Sequence, residues 1–449
     1  MASRLVAASQ APLPANAHTV AARLNVAISK LAGTATGQSP SLAVAIAENG
    51  RLIYDRGFGK AKPNTRFRIA SITKMFTAVS ILQLVEQHRV ALAASVATYL
   101  PSVPYARKIT VRELLQHTSG LWNYVNAAFV DGAVRKPTTP AAILALAASH
   151  PLGFAPGTKY AYSNTGYVVL GLIVEHVTGQ SLSTYEQQHI FAPAGMHDTT
   201  FGRAAPNATM AVGYMTPHGP RATAYDPSWL FADGDIVSTA ADVARFDIAL
   251  LGGKLISPQT FALMQQNPVE THDASGSYGL GVQISSPLGY RFVGHHGGVP
   301  GYATDNEMVP SHGLAIVVLS NSFDFITGRV NRVVLRTLLP VSPVAAIRED
   351  PAITARFRLT LLSLLEGEMD RSKFTPKVDA ALTPDVLKQT VIALKPLGAV
   401  TSVKYRSMRK MRHGNAYYYD VTFADGRTMT WEFALTARGK IAAIGSTGG

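Results

Sequence analysis

Strand-like segments stand at both ends of a long helical stretch, and this order limits the fold more than any other feature of the chain. Near the N-terminus, Ser41-Leu42-Ala43-Val44-Ala45-Ile46 and Leu52-Ile53-Tyr54 flank Asn49-Gly50. Asn-Gly between two apolar runs predicts a tight hairpin. Strand-like runs return only at residues 279–284, 290–294 and 315–319. Residues 80–200 between them read as mainly helical and include the apolar run Tyr167-Val168-Val169-Leu170-Gly171-Leu172-Ile173-Val174. One antiparallel sheet closed by distant chain segments satisfies this order, with the helical block inserted beside it. The expected class is α+β.

A chain of 449 residues exceeds one ordinary compact core, so two domains are expected. Residues 18–33 form an amphipathic helix that aligns Val20, Leu24, Ile28 and Leu31 on one face. The first domain is placed at 18–340, after a leader at 1–17. Pro340, Pro343 and Pro351 mark a linker at 341–351. The tail, 352–449, reads as a small α+β domain: helices at 352–367 and 376–395, then strands near 400–411, 415–424, 427–436 and 440–445. Asp425-Gly426 and Arg438-Gly439 supply turns.

The chain has no cysteine, which excludes disulfides, thiolate metal ligands and a cysteine nucleophile. Net charge is +13, but Lys and Arg are spread along the sequence. The densest cluster, Lys404, Arg406, Arg409, Lys410 and Arg412, suits a solvated strand face rather than a nucleic-acid footprint. No run reaches membrane-spanning length. The apolar part of the leader is too short for a secretory core. The reading is a periplasmic or secreted protein whose signal peptide is absent from this chain, with a cytoplasmic place left open.

Ser71-Ile72-Thr73-Lys74 carries the first chemical signal. Three-residue spacing on a helix puts serine and lysine on one face, and a lysine beside a hydroxyl can activate it as a nucleophile. Ser407-Met408-Arg409-Lys410 fits the same template, before a His413-Gly414-Asn415 turn. Context selects Ser71, which follows a strand-like Arg66-Phe67-Arg68-Ile69 and opens an apolar helical run. There a developing oxyanion meets free N–H groups and a favourable dipole. Tyr162-Ser163-Asn164 is the second candidate, with Tyr124-Val125-Asn126 as its decoy. Tyr162 can shuttle protons if nearby cations depress its pKa. The third is Gly294-His295-His296-Gly297-Gly298-Val299-Pro300-Gly301, a glycine-rich strand that lets a substrate approach the backbone. A metal is discounted because adjacent histidines on a strand face opposite ways and no third ligand has suggestive spacing. His117, Asp233 and Asp235 read as turn residues, and Trp122, Tyr124 and Trp229 as core.

The order Ser-x-x-Lys, Tyr-x-Asn, His-x-Gly resembles the serine β-lactamase and D-alanyl-D-alanine carboxypeptidase superfamily, in particular its class C and S12 branch of esterases, D-aminopeptidases and penicillin-binding proteins. Ile109-Thr110-Val111-Arg112-Glu113-Leu114-Leu115-Gln116-His117-Thr118-Ser119-Gly120-Leu121, Ser238-Thr239-Ala240-Ala241-Asp242 and Tyr278-Gly279-Leu280-Gly281 resemble further signatures of that branch. The resemblance covers residues 18–340. It implies a cofactor-free serine hydrolase acting on amide or ester bonds, as a D-amino-acid peptidase, carboxypeptidase or carboxylesterase. A class C-like β-lactamase, a penicillin-binding sensor that acylates but barely turns over, and a non-catalytic binding protein are the alternatives. Ser71, Lys74 and Tyr162 would be catalytic. Asn164, His295 and Gly297 would bind substrate, and the N–H groups of Ser71 and Gly298 would form the oxyanion hole. His295 stands where class C β-lactamases have lysine, which turns the expectation from β-lactams toward esters and D-peptides. The implied partner is a small-molecule or peptide substrate, with the cell wall as a further partner, and no nucleic acid. The tail resembles small NTF2-like folds.

Overall fold

The computed structural model describes residues 15–33, 41–128, 133–202, 209–216, 219–271, 276–286, 289–323, 326–339, 349–411 and 414–446. The leader as far as residue 14, most of the expected linker and His413 lie outside these. The chain forms two compact units, Met1–Val341 and Ser342–Gly449.

In the first unit, β1 (Leu42–Glu48) and β2 (Arg51–Phe58) form the expected hairpin. Asn49 and Gly50 both take positive φ, 49° and 77°, which matches the right-handed twist of the flanking strands. Three short strands, β3 (Phe67–Arg68), β4 (Thr200–Phe201) and β5 (Ile236–Ser238), make a separate ladder. Strands β6 (Val269–Glu270), β7 (Ser277–Tyr278), β8 (Gln283–Ser285), β9 (Phe292–Val299), β10 (Tyr302–Val309) and β11 (Leu314–Ser320) complete the main sheet. Its order is β2-β1-β11-β10-β9-β8-β7-β6, antiparallel throughout. The N-terminal hairpin thus closes onto the last strand of the unit.

Alternate residues of the central strands feed two cores. Ala43, Ala45, Val317 and Leu319 join the larger cluster with the helices Thr73–Glu86 and Ala240–Leu251. Val44, Ile46, Ile316 and Val318 face the helices Ala15–Gly33 and Ile326–Leu338, where Leu24, Ile28, Val330 and Val334 are buried. Burial on both faces explains why β1 and β11 read as continuous apolar runs rather than alternating ones.

Two sequence expectations change. Residues 279–284 are not one strand: Gly281, at φ 81°, turns the chain between β7 and β8, and a Cβ there would lie 2.2 Å from Ala78 Cβ. The stretch 116–163 holds only short helical pieces among the described residues. Its backbone is tied across itself instead, with Gly153 N–H donating to Gly120 O and Gly157 N–H to Thr118 O.

The second unit has helices Pro351–Glu366, Pro376–Ala381 and Pro384–Leu394, followed by an antiparallel meander of β12 (Val400–Met411), β13 (Gly414–Phe423), β14 (Thr428–Thr436) and β15 (Ile441–Ser446). Phe357 stacks on Tyr419 at 4.2 Å, and Val421, Phe433 and Trp431 share that core. Among the described residues, no helix in either unit is long and apolar enough to cross a membrane.

Candidate active site

Ser71 lies in a 3-10 turn, Ala70–Ile72, between β3 and the Thr73–Glu86 helix. Ala70 takes φ 50°, a left-handed conformation uncommon for alanine, so this turn is strained. The turn leaves Ser71 half-exposed while Lys74 is fully buried. Lys74 Nζ donates to Ser71 Oγ (3.2 Å), Asn164 Oδ1 (2.7 Å) and the backbone oxygen of Asp233 (2.7 Å). Three acceptors match the three N–H bonds of an ammonium. Burial pulls the Lys74 pKa down to about 8, and the nearby Asp233 charge opposes that fall.

Asn164 begins the Asn164–Thr178 helix, which Ser163 caps by accepting from Gly166 N–H. The Asn164 backbone N–H and its Nδ2 both donate to Asn123 Oδ1, which turns its Oδ1 toward Lys74. Both ends of the amide are therefore taken. Asn164, expected to bind substrate, has its amide oxygen on the lysine instead.

Tyr162 lies beside Ser71, whose side chain works against the effect of burial on its pKa, and its ring centroid lies 4.9 Å from Lys74 Nζ. The expected depression of its pKa does not occur. Burial pushes it well above the ordinary value, and the Asp233 charge pushes the same way. Tyr162 rests as a phenol.

His117 holds the Tyr162 segment on both sides. Ala161 N–H donates to the His117 backbone oxygen, and Ser163 N–H donates to His117 Nδ1 at 3.1 Å. Its ring lies 4.2 Å from that of Tyr162. Burial, with the Lys74 charge, keeps this imidazole neutral. The turn reading of His117 was right about the backbone, where φ is 57°, but missed this contact.

On β9, His295 is buried and its Nε2 meets Tyr278 Oη at 2.8 Å. Burial first, and then the Lys74 charge, push its pKa down to about 3, so it is uncharged at neutral pH. His295, expected to bind substrate, therefore carries no charge that could anchor a substrate carboxylate at neutral pH. Its ring centroid lies 6.3 Å from that of Tyr162, with Tyr278 beside both. Gly297 has a packing reason to lack a side chain. A Cβ there would lie 2.6 Å from Ile69 O and 3.0 Å from Ser71 N, so β9 passes directly against the Ser71 turn. His296 N–H donates to Gln283 Oε1, away from β10. Ladder alternation turns the Gly298 N–H the same way, toward the edge that β8 leaves open beyond Gln283.

Asp233 was read as a turn residue. It is buried, with its Oδ2 3.9 Å from Lys74 Nζ and 3.1 Å from the hydroxyl of Tyr124. Tyr124 thus has a buried structural place and no contact with Ser71 in the hydrogen-bond network described. Ser407 lies in β12, where three-residue spacing puts positions on opposite faces. His296, whose neighbours in sequence offer no third ligand, does gain two carboxylates in the fold. His296 Nδ1 is 2.7 Å from Asp305 Oδ1 across the β9–β10 ladder, and with Glu307 the three ligand atoms lie within 4.8 Å of one another. Cross-strand register, not sequence spacing, brings them together.

The Beta-lactamase family profile matches residues 20–338. The chain belongs to the Beta-lactamase family. It is similar to penicillin-binding protein 4 of Amycolatopsis lactamdurans, 29% identical over 311 residues, which are 63% of this chain and 81% of that protein. It is also similar to the D-aminopeptidase of Brucella ovis, 28% identical over 308 residues, covering 63% of this chain and 57% of that one. Among solved structures, the D-amino acid amidase of Ochrobactrum anthropi SV3 in complex with L-phenylalanine amide superposes with a TM-score of 0.62 at 28% identity, covering 70% of this chain and 97% of that one. The expected antiparallel sheet flanked by helices is the fold of this Beta-lactamase family member, and the chain is a hydrolase.

Proposed function

We propose that this protein cleaves amides of D-amino acids, as free amides or short peptides, through an acyl-enzyme on Ser71. The observation that carries the reading is the setting of Lys74 Nζ among Ser71 Oγ, Asn164 Oδ1 and Asp233 O, with the Tyr162 ring 4.9 Å from the same Nζ. With a pKa of about 8, roughly a tenth of Lys74 is amine at pH 7, enough to act as a base. Ser71 Oγ attacks the carbonyl carbon as its proton passes to Lys74. The N–H groups of Ser71 and Gly298 receive the oxyanion. Tyr162, a phenol at rest, delivers a proton to the leaving nitrogen and is reprotonated from Lys74. The amine departs, and water then adds to the acyl carbon. Its proton returns to Ser71, releasing the acid. The sum is amide plus water giving acid plus amine.

The neutral His295 supports the substrate class. A charged group at that place would hold a substrate carboxylate, whereas this imidazole is uncharged and both its ring nitrogens already meet protein atoms, Tyr278 Oη and the His296 backbone oxygen. Uncharged amides and esters suit it better than β-lactam anions. The D-aminopeptidase and D-amino acid amidase relatives point to D-configured amides within that class.

The test is a panel of D- and L-phenylalanine amide, a p-nitrophenyl ester, D-Ala-D-Ala and a chromogenic cephalosporin. The D-amide should exceed both its L-enantiomer and the cephalosporin in kcat/KM by ~10-fold or more, a difference of about 1.4 kcal/mol in transition-state binding. Cephalosporin turnover near the diffusion limit of ~10⁸ M⁻¹s⁻¹ would instead make this a β-lactamase.

A further inference from the structure

We propose that Asp233 is a tuning residue for Lys74: its buried carboxylate holds the lysine in its charged form and so sets the pH at which Ser71 is activated. This rests on the reading of Ser71 as nucleophile and adds a residue to it.

The geometry carries the inference. Asp233 meets Lys74 twice, through its backbone oxygen at 2.7 Å and its Oδ2 at 3.9 Å. The backbone contact would survive any side chain at position 233. The carboxylate is therefore a separate contribution, and it is electrostatic. It is also held in place. Tyr124 Oη lies 3.1 Å from Oδ2 and 3.3 Å from Oδ1, and shares its one proton between this carboxylate and the Trp229 backbone oxygen. Lys74 and Asp233 are both nearly inaccessible, so water screens their attraction little.

The other groups around Lys74 leave this role to Asp233. Ser71 Oγ and Asn164 Oδ1 are uncharged acceptors. Tyr162 and Tyr167 present ring faces to Nζ at 4.9 and 5.4 Å, and burial keeps both as phenols. His117 and His295 feel the lysine and are neutral through burial. Tyr124 is likewise held as a phenol, with Asp235 contributing to that. Among the described residues, Asp233 supplies the carboxylate within 4 Å of Nζ. Burial raises the Asp233 pKa and Lys74 pulls it back, while the reverse holds at Lys74. Removing the anion leaves burial alone to act on the lysine, which shifts its titration to lower pH.

The experiment follows the rate of covalent inactivation by an uncharged fluorophosphonate between pH 5 and 10. It uses the full chain as wild type, Asp233→Asn, Asp233→Glu and Tyr124→Phe. In Asp233→Asn the midpoint that reports Lys74 should move to lower pH by roughly one unit or more, the usual reach of a close opposite charge. Asp233→Glu keeps the charge and should restore the wild-type midpoint. Tyr124→Phe keeps the carboxylate and should shift less than Asp233→Asn. A midpoint in Asp233→Asn that coincides with wild type overturns the proposal, as does an equal shift in Asp233→Glu. Should Asp233→Asn not fold, Asp233→Ala takes its place under the same two outcomes, since it keeps the backbone oxygen for Lys74. Ser71→Ala separates the two levels. Labelling that persists in it overturns the nucleophile, whereas its loss beside an unshifted Asp233→Asn overturns the role of Asp233 alone.

Discussion

Burying a phenol beside a serine removes its water, and that fixes what the phenol can do. Tyr162 is in this position, and its raised pKa makes it a proton donor at rest. Tyr162→Phe keeps the ring over Lys74 and removes the proton. Turnover should fall by ~10²-fold or more, the lower end of general acid–base contributions. Tyr124→Phe should cost much less in turnover, because its hydroxyl serves Trp229 O and Asp233 rather than Ser71. Steady-state kinetics of the two variants on one amide settle this, and reversed effects would mean that the second motif is misplaced. His295→Lys gives no simple gain of a carboxylate anchor. It would bring a second buried cation near Lys74 and lose the Tyr278 contact.

At the scale of elements, the site depends on how closely β9 passes the 3-10 turn of Ser71. Thr304 Oγ1 donates to Ile69 O, and Gly297 leaves room for that contact. Gly297→Ala puts a methyl against Ile69 O, Thr304 Oγ1 and Ser71 N, so strand and turn must part. The labelling rate should drop by ~10²-fold or more, as on loss of an oxyanion donor. Gly445→Ala in β15, with nothing within 4 Å, should leave the rate unchanged. Equal rates for Gly297→Ala and wild type would show that the approach is not needed. Sequence reading succeeded where the signal is local. Asn49-Gly50 has one low-energy hairpin geometry, and the runs in β1 and β11 can be buried on both faces. It failed where a short strand has too few residues to show a period, as in β7 and β8.

For the whole molecule, the missed site residues share one cause. Asp233 reaches Lys74 across 159 positions, and Asp305 meets His296 only through the β9–β10 register. An aspartate beside glycine reads as a turn former because local chemistry says so, while burial beside a lysine is a property of the assembled fold. Motif order singled out Ser71, Lys74, Tyr162 and Asn164, which the fold brings close together, because each sits near a helix start or turn whose local signals survive in the sequence. The same reasoning placed the second Ser-x-x-Lys match outside the chemistry, and β12 is a strand of the other compact unit. The central claim is that one serine of 449 residues carries the acyl group. Intact-mass measurement of the full chain after fluorophosphonate treatment, followed by peptide mapping, addresses it directly. The account predicts one adduct per chain, located on Ser71, absent from Ser71→Ala and retained in Ser407→Ala. An adduct on another residue, or equal labelling of wild type and Ser71→Ala, would contradict it.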